Sequence, residues 1–188
     1  MTIKTIADRL QNGAVIISPT DTIPGFTAIP SIETAKTIRQ IKGRAEDKPF
    51  IFLVASRDQL AKYVSMSLDS LAPYLEESGR PTTVIFDKID GVYTAHLPKS
   101  ILAKDGSAGF RICAHPLIKE LCSVLDSCLI STSVNVSGEL PALSIETIPE
   151  VIRKQVDLIV ERDFNFVTDK NPSRIISIKN GVHKIIRS

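Results

Sequence analysis

Residues 14–54 read AVIISPTDTIPGFTAIPSIETAKTIRQIKGRAEDKPFIFLV and decide the fold class. The apolar runs at 14–17 and 50–54 are typical of strands that are buried on both faces of a sheet. Between them, residues 31–43 carry the periodicity of an amphipathic helix. A strand, a helix and a second strand in this order predict helices packed on a largely buried sheet.

The helix in this stretch has clear boundaries. Ser31 is a good N-cap, and Gly43 can end the helix in a left-handed conformation. Its predicted inward face consists of Ile32, Ala35, Ile38 and Ile41, and its outward face of Lys36, Arg39 and Gln40.

The same alternation continues through most of the chain. Further strands are predicted near residues 83–86, 110–113, 128–130 and 158–160. The tail, residues 174–186, contains Asn180-Gly181 between two apolar runs, which predicts a hairpin with a type I′ turn. We therefore predict an α/β fold with one domain over residues 1–188: a twisted, mixed parallel/antiparallel sheet with helices packed on it.

The composition excludes several classes of protein. Lys and Arg exceed Asp and Glu by two (23 against 21), so bulk charge does not argue for nucleic acid or membrane binding. Cys113, Cys122 and Cys128 show neither CxxC spacing nor nearby paired histidines, so we expect buried free thiols and no protein-bound metal site. No apolar run reaches the roughly 18 residues of a membrane span, and we expect a cytoplasmic protein.

Two groups of polar residues are candidates for binding. Thr20, Asp21 and Thr22 follow the first strand, and a second polar turn, Ser131 to Gly138, follows the strand near residue 130. Ligands of α/β sheets bind near such strand ends. Hydroxyl and amide groups there can hydrogen-bond phosphate oxygens, although an ordinary serine-rich turn would have the same composition.

The basic segment after the second helix is a candidate phosphate site. The chain has neither GxxxxGK[ST] nor GxGxxG, so side chains would have to replace a glycine-rich phosphate loop. Lys42 and Arg44 flank Gly43 and could do this, with Lys48 nearby. The alternative is that these cations only complement the dipole at the end of the helix.

Four motifs in register resemble the YrdC/TsaC family of L-threonylcarbamoyladenylate synthases. They are Pro19-Thr20-Asp21-Thr22, Lys42-Gly43-Arg44 with Lys48-Pro49, Arg111-Ile112-Cys113-Ala114-His115-Pro116 and Ser133-Val134-Asn135-Val136-Ser137-Gly138. The chain departs from the family pattern at Pro24, where an aromatic residue is usual, and at Cys113, where proline is usual. Pro172-Ser173-Arg174-Ile175 resembles the family's P-S-T-I/V segment, with Arg174 in place of a small polar residue.

The resemblance implies the chemistry. Such enzymes form threonylcarbamoyl-AMP and pyrophosphate from ATP, L-threonine and bicarbonate, and the product serves threonylcarbamoyladenosine modification of tRNA through downstream threonylcarbamoyl transferase proteins. By this resemblance Lys42 and Arg44 are catalytic and bind the triphosphate, together with Ser133, Asn135 and Ser173. Thr22, Lys48 and Arg111 bind threonine or the carbamate, and Mg²⁺ enters with ATP.

Three points stay open in the sequence. Asp21 could contact the substrate or only order its turn. The position of His115 directly before Pro116 favours a helix-capping role over that of a general base. The alternative functions are a YrdC-fold RNA-binding protein, using Lys36, Arg39, Lys42 and Arg44 to contact tRNA or double-stranded RNA, and a paralogue with a different carbamoyl-type substrate.

Overall fold

The computed structural model describes residues 1–75, 80–162, 171–179 and 182–188. The helices in this part of the chain are α1 (Ile3–Gln11), α2 (Ile32–Lys42), α3 (Arg57–Leu60), α4 (Ala72–Leu75), α5 (Pro116–Val124) and α6 (Glu150–Arg153). The strands are β1 (Ile16–Ser18), β2 (Gly25–Ala28), β3 (Ile51–Val54), β4 (Thr82–Phe86), β5 (Ala108–Ile112), β6 (Leu129–Ser133), β7 (Leu158–Ile159), β8 (Arg174–Lys179) and β9 (Val182–Arg187).

The described strands form one mixed sheet in the order β7-β1-β2-β6-β3-β5-β4-β8-β9. The pairs β1/β7, β3/β5 and β4/β8 are parallel, and the other neighbours are antiparallel. The predicted mixed sheet with packed helices is therefore confirmed. Strand β6 bonds to both β2 and β3, so the centre of the sheet joins segments from distant parts of the sequence.

Helices cover both faces of the sheet, as the continuous apolar runs predict. Neighbouring residues of a strand point to opposite faces of the sheet. On one face, Ile17 of β1 and Phe52 of β3 pack in a core cluster with Ile38 of α2. Ile16 and Leu53 pack in the other cluster, which contains the apolar sides of α1 and α5. The two clusters hold the central strands in a fixed register.

The predicted caps at Ser31, Gly43 and His115 are present, and Thr2 caps α1 in the same way as Ser31 caps α2. Thr2 and Ser31 accept hydrogen bonds from backbone N–H groups of the first turns of α1 and α2, and Gly43 ends α2 at φ 58°. His115 caps α5, where its Nδ1 accepts from the Leu117 N–H at 3.2 Å. One prediction for α2 is wrong: Ile32 is 58% exposed, because it lies at the first turn of the helix, beyond the edge of the core.

Other parts of the chain add detail to the prediction. Residues 92–107, for which the pattern is irregular, contain two 3₁₀ turns, Thr94–His96 and Lys99–Ile101. The three cysteines are buried and free, as expected. In the described ranges no helix has the length and apolarity needed to cross a membrane. The predicted Asn180-Gly181 turn lies outside the described residues, although the strands on either side of it pair antiparallel as predicted.

Candidate active site

A cavity of about 640 Å³ lies over one face of the sheet. Alternate residues of neighbouring strands line it, such as Gly109 and Arg111 of β5, and Ser131 and Ser133 of β6. Its volume is within the range of small-molecule sites. The predicted site residues that line it are Thr22, Arg44, Lys48, Arg111, Ser133, Asn135 and Ser173.

Arg111 is the buried cation of this cavity. Its Nη2 lies 3.1 Å from Asp21 Oδ1, and both side chains are almost completely buried. Its Nε is also buried and has no hydrogen-bond partner within the described part of the protein. A buried guanidinium N–H without a partner costs free energy. The arrangement therefore suits an anionic ligand that would accept from Arg111.

The turn after β1 contains the hydroxyl groups of Thr20 and Thr22. The Thr22 N–H and the Arg111 Nη2 both lie near Thr20 Oγ1, at 3.1 and 3.4 Å, and Thr20 Oγ1 donates to the Ile23 carbonyl at 2.8 Å. The turn then enters β2 at Gly25, where an added Cβ would lie 2.5 Å from Ser131 Oγ. The absence of a side chain at this glycine therefore allows the turn to pack directly against β6.

The turn after β6 is held by Lys42. Lys42 is 1% exposed, and its ammonium donates to the Ser133 carbonyl, to the Asn135 carbonyl at 2.9 Å and to Asn135 Oδ1 at 2.7 Å. Its own carbonyl accepts from the Ser137 N–H at 2.7 Å. All three ammonium protons are thus engaged. A contact between Lys42 and phosphate stays a prediction. In the structure the Lys42 ammonium contacts the backbone carbonyls of the turn after β6.

Burial lowers the pKa of Lys42 to about 7, and the positive charge of Arg44 acts in the same direction. Since the ordinary value is 10.5, the folded protein binds fewer protons than the unfolded chain between these two pH values. We expect the free energy of unfolding to rise with pH across this window, relative to the Lys42→Met variant.

Urea denaturation of both proteins at about pH 6 and about pH 9 measures this linkage. The difference in unfolding free energy between wild type and Lys42→Met should move in favour of the wild type at the higher pH. A difference that is the same at both pH values would show that Lys42 has no lowered pKa.

Arg44 and Lys48 are on the loop between α2 and β3 and border the same cavity. Arg44 Nη2 donates to the Pro49 carbonyl at 3.0 Å, whereas its buried Nε has no hydrogen-bond partner in the described ranges. Burial, followed by the charge of Arg39, lowers the pKa of Arg44. Lys48 is exposed, so its ammonium is available to a ligand at the cavity mouth.

Arg187 lines the cavity beside Ser173, and the sequence interpretation missed it. Its Nε and Nη2 donate to the Ser173 carbonyl at 3.0 and 2.7 Å, and Ser173 Oγ lies 2.8 Å from Thr83 Oγ1. Burial and the charges of Arg111 and Arg80 lower the pKa of Arg187. Several cations therefore border one cavity, a distribution that favours ligands with more than one negative group.

A family model described as "Telomere recombination", for Sua5, YciO and YrdC, matches residues 8–188. The chain belongs to the Sua5/YciO/YrdC family. The threonylcarbamoyl-AMP synthase of Buchnera aphidicola is 30% identical over 185 residues, which cover 96% of this chain and 95% of that protein. The enzyme of the same name from Xanthomonas oryzae is 29% identical, with the same coverage of both chains.

Solved structures of the family share the fold. YciO of E. coli has a TM-score of 0.81 at 21% identity, over 99% of this chain and 88% of that one. Sua5 of P. abyssi complexed with L-threonine has a TM-score of 0.80 at 21% identity. That comparison covers 98% of this chain but only 53% of the Sua5 chain.

Several charged or titratable side chains of this family member lie outside the cavity. The three histidines do not line it, and Arg174 lies over the Tyr74 ring at 5.3 Å. Lys42 is buried, so it cannot be part of the surface stripe predicted for RNA contact, which leaves Lys36, Arg39 and Arg44. In the described residues no group of three acidic, histidine or cysteine side chains could hold a metal ion.

Proposed function

We propose that this chain is an L-threonylcarbamoyladenylate synthase, which forms threonylcarbamoyl-AMP and pyrophosphate from L-threonine, bicarbonate and ATP. One observation carries the proposal: a single cavity contains the buried guanidinium of Arg111, with its free Nε, and the Ser133 to Asn135 turn. The names of the curated relatives and the binding of L-threonine by Sua5 of P. abyssi support it.

The residues divide by the chemistry that each can offer. The Arg111 guanidinium suits the threonine carboxylate, because its positive charge and its Nε–H, which has no hydrogen-bond partner in the described residues, can both act on that anion. Thr22 contributes a hydroxyl group beside it. Arg44 and Arg187 suit the phosphates of ATP, and Ser133, Asn135 and Ser173 add uncharged hydrogen-bonding groups. Lys48 would neutralise the carbamate or a phosphate.

The reaction itself needs no nucleophilic side chain. The neutral amine of threonine combines with bicarbonate to give the carbamate and water. A carbamate oxygen then attacks the α-phosphorus of ATP, and the bond from that phosphorus to the bridging oxygen breaks, releasing pyrophosphate. The chain's part is to orient the two reactants and to stabilise the negative charge that moves to pyrophosphate.

Mg²⁺ would enter with ATP, since it prefers phosphate oxygens and needs few protein ligands. The donor set of the cavity agrees with this, because it offers mainly neutral oxygens and cations, with Glu139 as a carboxylate at its border. The product would pass to a transferase that modifies tRNA, and the cytoplasm is the compartment that we expect for it.

The test is pyrophosphate release by the purified protein with ATP, bicarbonate and L-threonine, with one component omitted at a time. Release should require all three, and mass spectrometry should detect threonylcarbamoyl-AMP. Pyrophosphate release without threonine, or with another amine in its place, would overturn the proposal in favour of a paralogue with a different substrate. Tight RNA binding without turnover would favour the RNA-binding alternative.

The role of Arg187 gives a separate prediction. Arg187→Gln should raise the KM for ATP by about tenfold or more, because a hydrogen bond to a charged group contributes about 1.5–3 kcal/mol. The KM for threonine should change less. Steady-state kinetics with Arg174→Gln as the matched control decides this, since Arg174 is on the same hairpin but contacts Thr82 and Tyr74. Equal effects of the two substitutions on the KM for ATP would refute the assignment of Arg187 to ATP binding.

A further inference from the structure

Asp21 is a buried carboxylate that does not border the cavity. The residue is 2% exposed, and both of its carboxylate oxygens are engaged. Oδ1 accepts from Arg111 Nη2 at 3.1 Å and from Cys113 Sγ at 3.2 Å, and Oδ2 accepts from the Ala114 N–H at 3.1 Å. These contacts direct the carboxylate towards the end of β5, and Asp21 is not among the residues that line the cavity.

The contacts join two segments that are far apart in the sequence. Asp21 is in the turn between β1 and β2, whereas Arg111 is in β5 and Cys113 and Ala114 directly follow that strand. The carboxylate therefore holds one end of the Arg111 guanidinium and also the backbone that follows it. A long arginine side chain loses much rotamer entropy when it is fixed, and fixing it before the ligand arrives removes that cost from binding.

We infer that Asp21 is a positioning residue: it holds Nη2 of Arg111 so that Nε stays directed to the carboxylate of the amino-acid substrate. The inference rests on the proposed function for the identity of that substrate. Cys113 contributes to it, because its thiol donates a hydrogen bond to Asp21 where a proline would have no donor.

The first test needs no substrate. In ¹⁵N-correlated NMR spectra, the Arg111 Nε–H of the wild type should give one resolved signal, assigned by its loss in Arg111→Lys. In Asp21→Asn that signal should shift and broaden, because the neutral amide holds the guanidinium less firmly. Asp157→Asn is the matched control, since Asp157 Oδ2 also accepts a backbone N–H, from Val15 at 2.8 Å. An unchanged Arg111 signal in folded Asp21→Asn overturns the inference.

The second test measures how Asp21 acts on the substrate. Asp21→Asn should raise the KM for L-threonine by about tenfold, with kcat and the KM for ATP within about threefold. In an Arg111→Gln background the same substitution should have no further effect on the KM for threonine. Additive effects would show that Asp21 acts independently of Arg111 and would overturn the inference.

Two further arms separate the possible failures. If the protein does not use threonine but the NMR signal responds as expected, the proposed function fails and the positioning role of Asp21 stands. If Asp21→Asn does not fold, Cys113→Ala and Cys113→Ser replace it. The Arg111 signal should move in the alanine variant and move less in the serine variant, which keeps a donor. Identical spectra for wild type and Cys113→Ala would then contradict the inference.

Discussion

Arg111→Gln is expected to raise the KM for L-threonine by about 100-fold, because truncating one partner of a buried, hydrogen-bonded charge pair costs about 2–5 kcal/mol. The glutamine amide carries no positive charge for the substrate carboxylate. The KM for ATP should change by less than about threefold, since the phosphates have other cations within reach. Initial-rate kinetics with each substrate varied in turn provides the measurement.

The control for this substitution concerns stability. Arg111→Gln leaves the buried Asp21 without its ion-pair partner, which destabilises a protein by about 3–5 kcal/mol. The double variant Asp21→Asn/Arg111→Gln removes that unpaired charge and should recover much of the unfolding free energy. Its KM for threonine should remain high. A folded Arg111→Gln protein with an unchanged threonine KM would refute the carboxylate assignment.

Lys42→Met is expected to lower kcat/KM for ATP by about 100-fold and to destabilise the fold by about 2–4 kcal/mol. Methionine fills a similar volume but donates no hydrogen bond. Two carbonyl groups and the Asn135 side chain would each lose the hydrogen bond from Lys42, so the turn would be held less firmly.

The matched control is Lys36→Met, six residues earlier on α2. Lys36 is exposed, so its replacement should change neither quantity by more than a small factor. Urea denaturation and ATP-dependent kinetics of both variants make the comparison. Equal behaviour of the two would mean that the buried ammonium of Lys42 has no particular role in the site.

The sequence predicts the fold well because its strongest signals are local. Continuous apolar runs and capping residues depend on neighbours in the chain, and the structure confirms a mixed sheet and the caps of α2 at Ser31 and Gly43. The burial of Lys42 also has a signal: it lies four residues after Ile38 and seven after Ala35, on the buried stripe of α2. Reading it only as a basic residue at a helix end misses that position.

Arg187 could not be placed from the sequence. The β8/β9 ladder pairs Ile176 with Ile185, and a regular continuation would pair Ile175 with Ile186. An irregularity at this point pairs Ile175 with Arg187 instead, and both residues line the cavity. A one-residue shift of this kind cannot be predicted from a residue pattern, because the shift depends on how the edge strand twists against the sheet.

The open question about Asp21 shows the same limit. A carboxylate in a polar turn can face a ligand or the protein, and only the position of β5 decides between them. The structure shows three donors from Arg111, Cys113 and Ala114 around it, all supplied from about 90 residues further along the chain. Contacts of this range lie beyond sequence periodicity.

The central position of strand β6 determines how the site is lost when the protein unfolds. It bonds to β2 on one side and β3 on the other, and Gly25 packs against Ser131 with no room for a side chain. The turn after β1, the turn after β6 and the loop before β3 are thus parts of one cooperative unit. We therefore expect a fragment without β6 to lose both sides of the cavity, so ligand binding and global folding should disappear together.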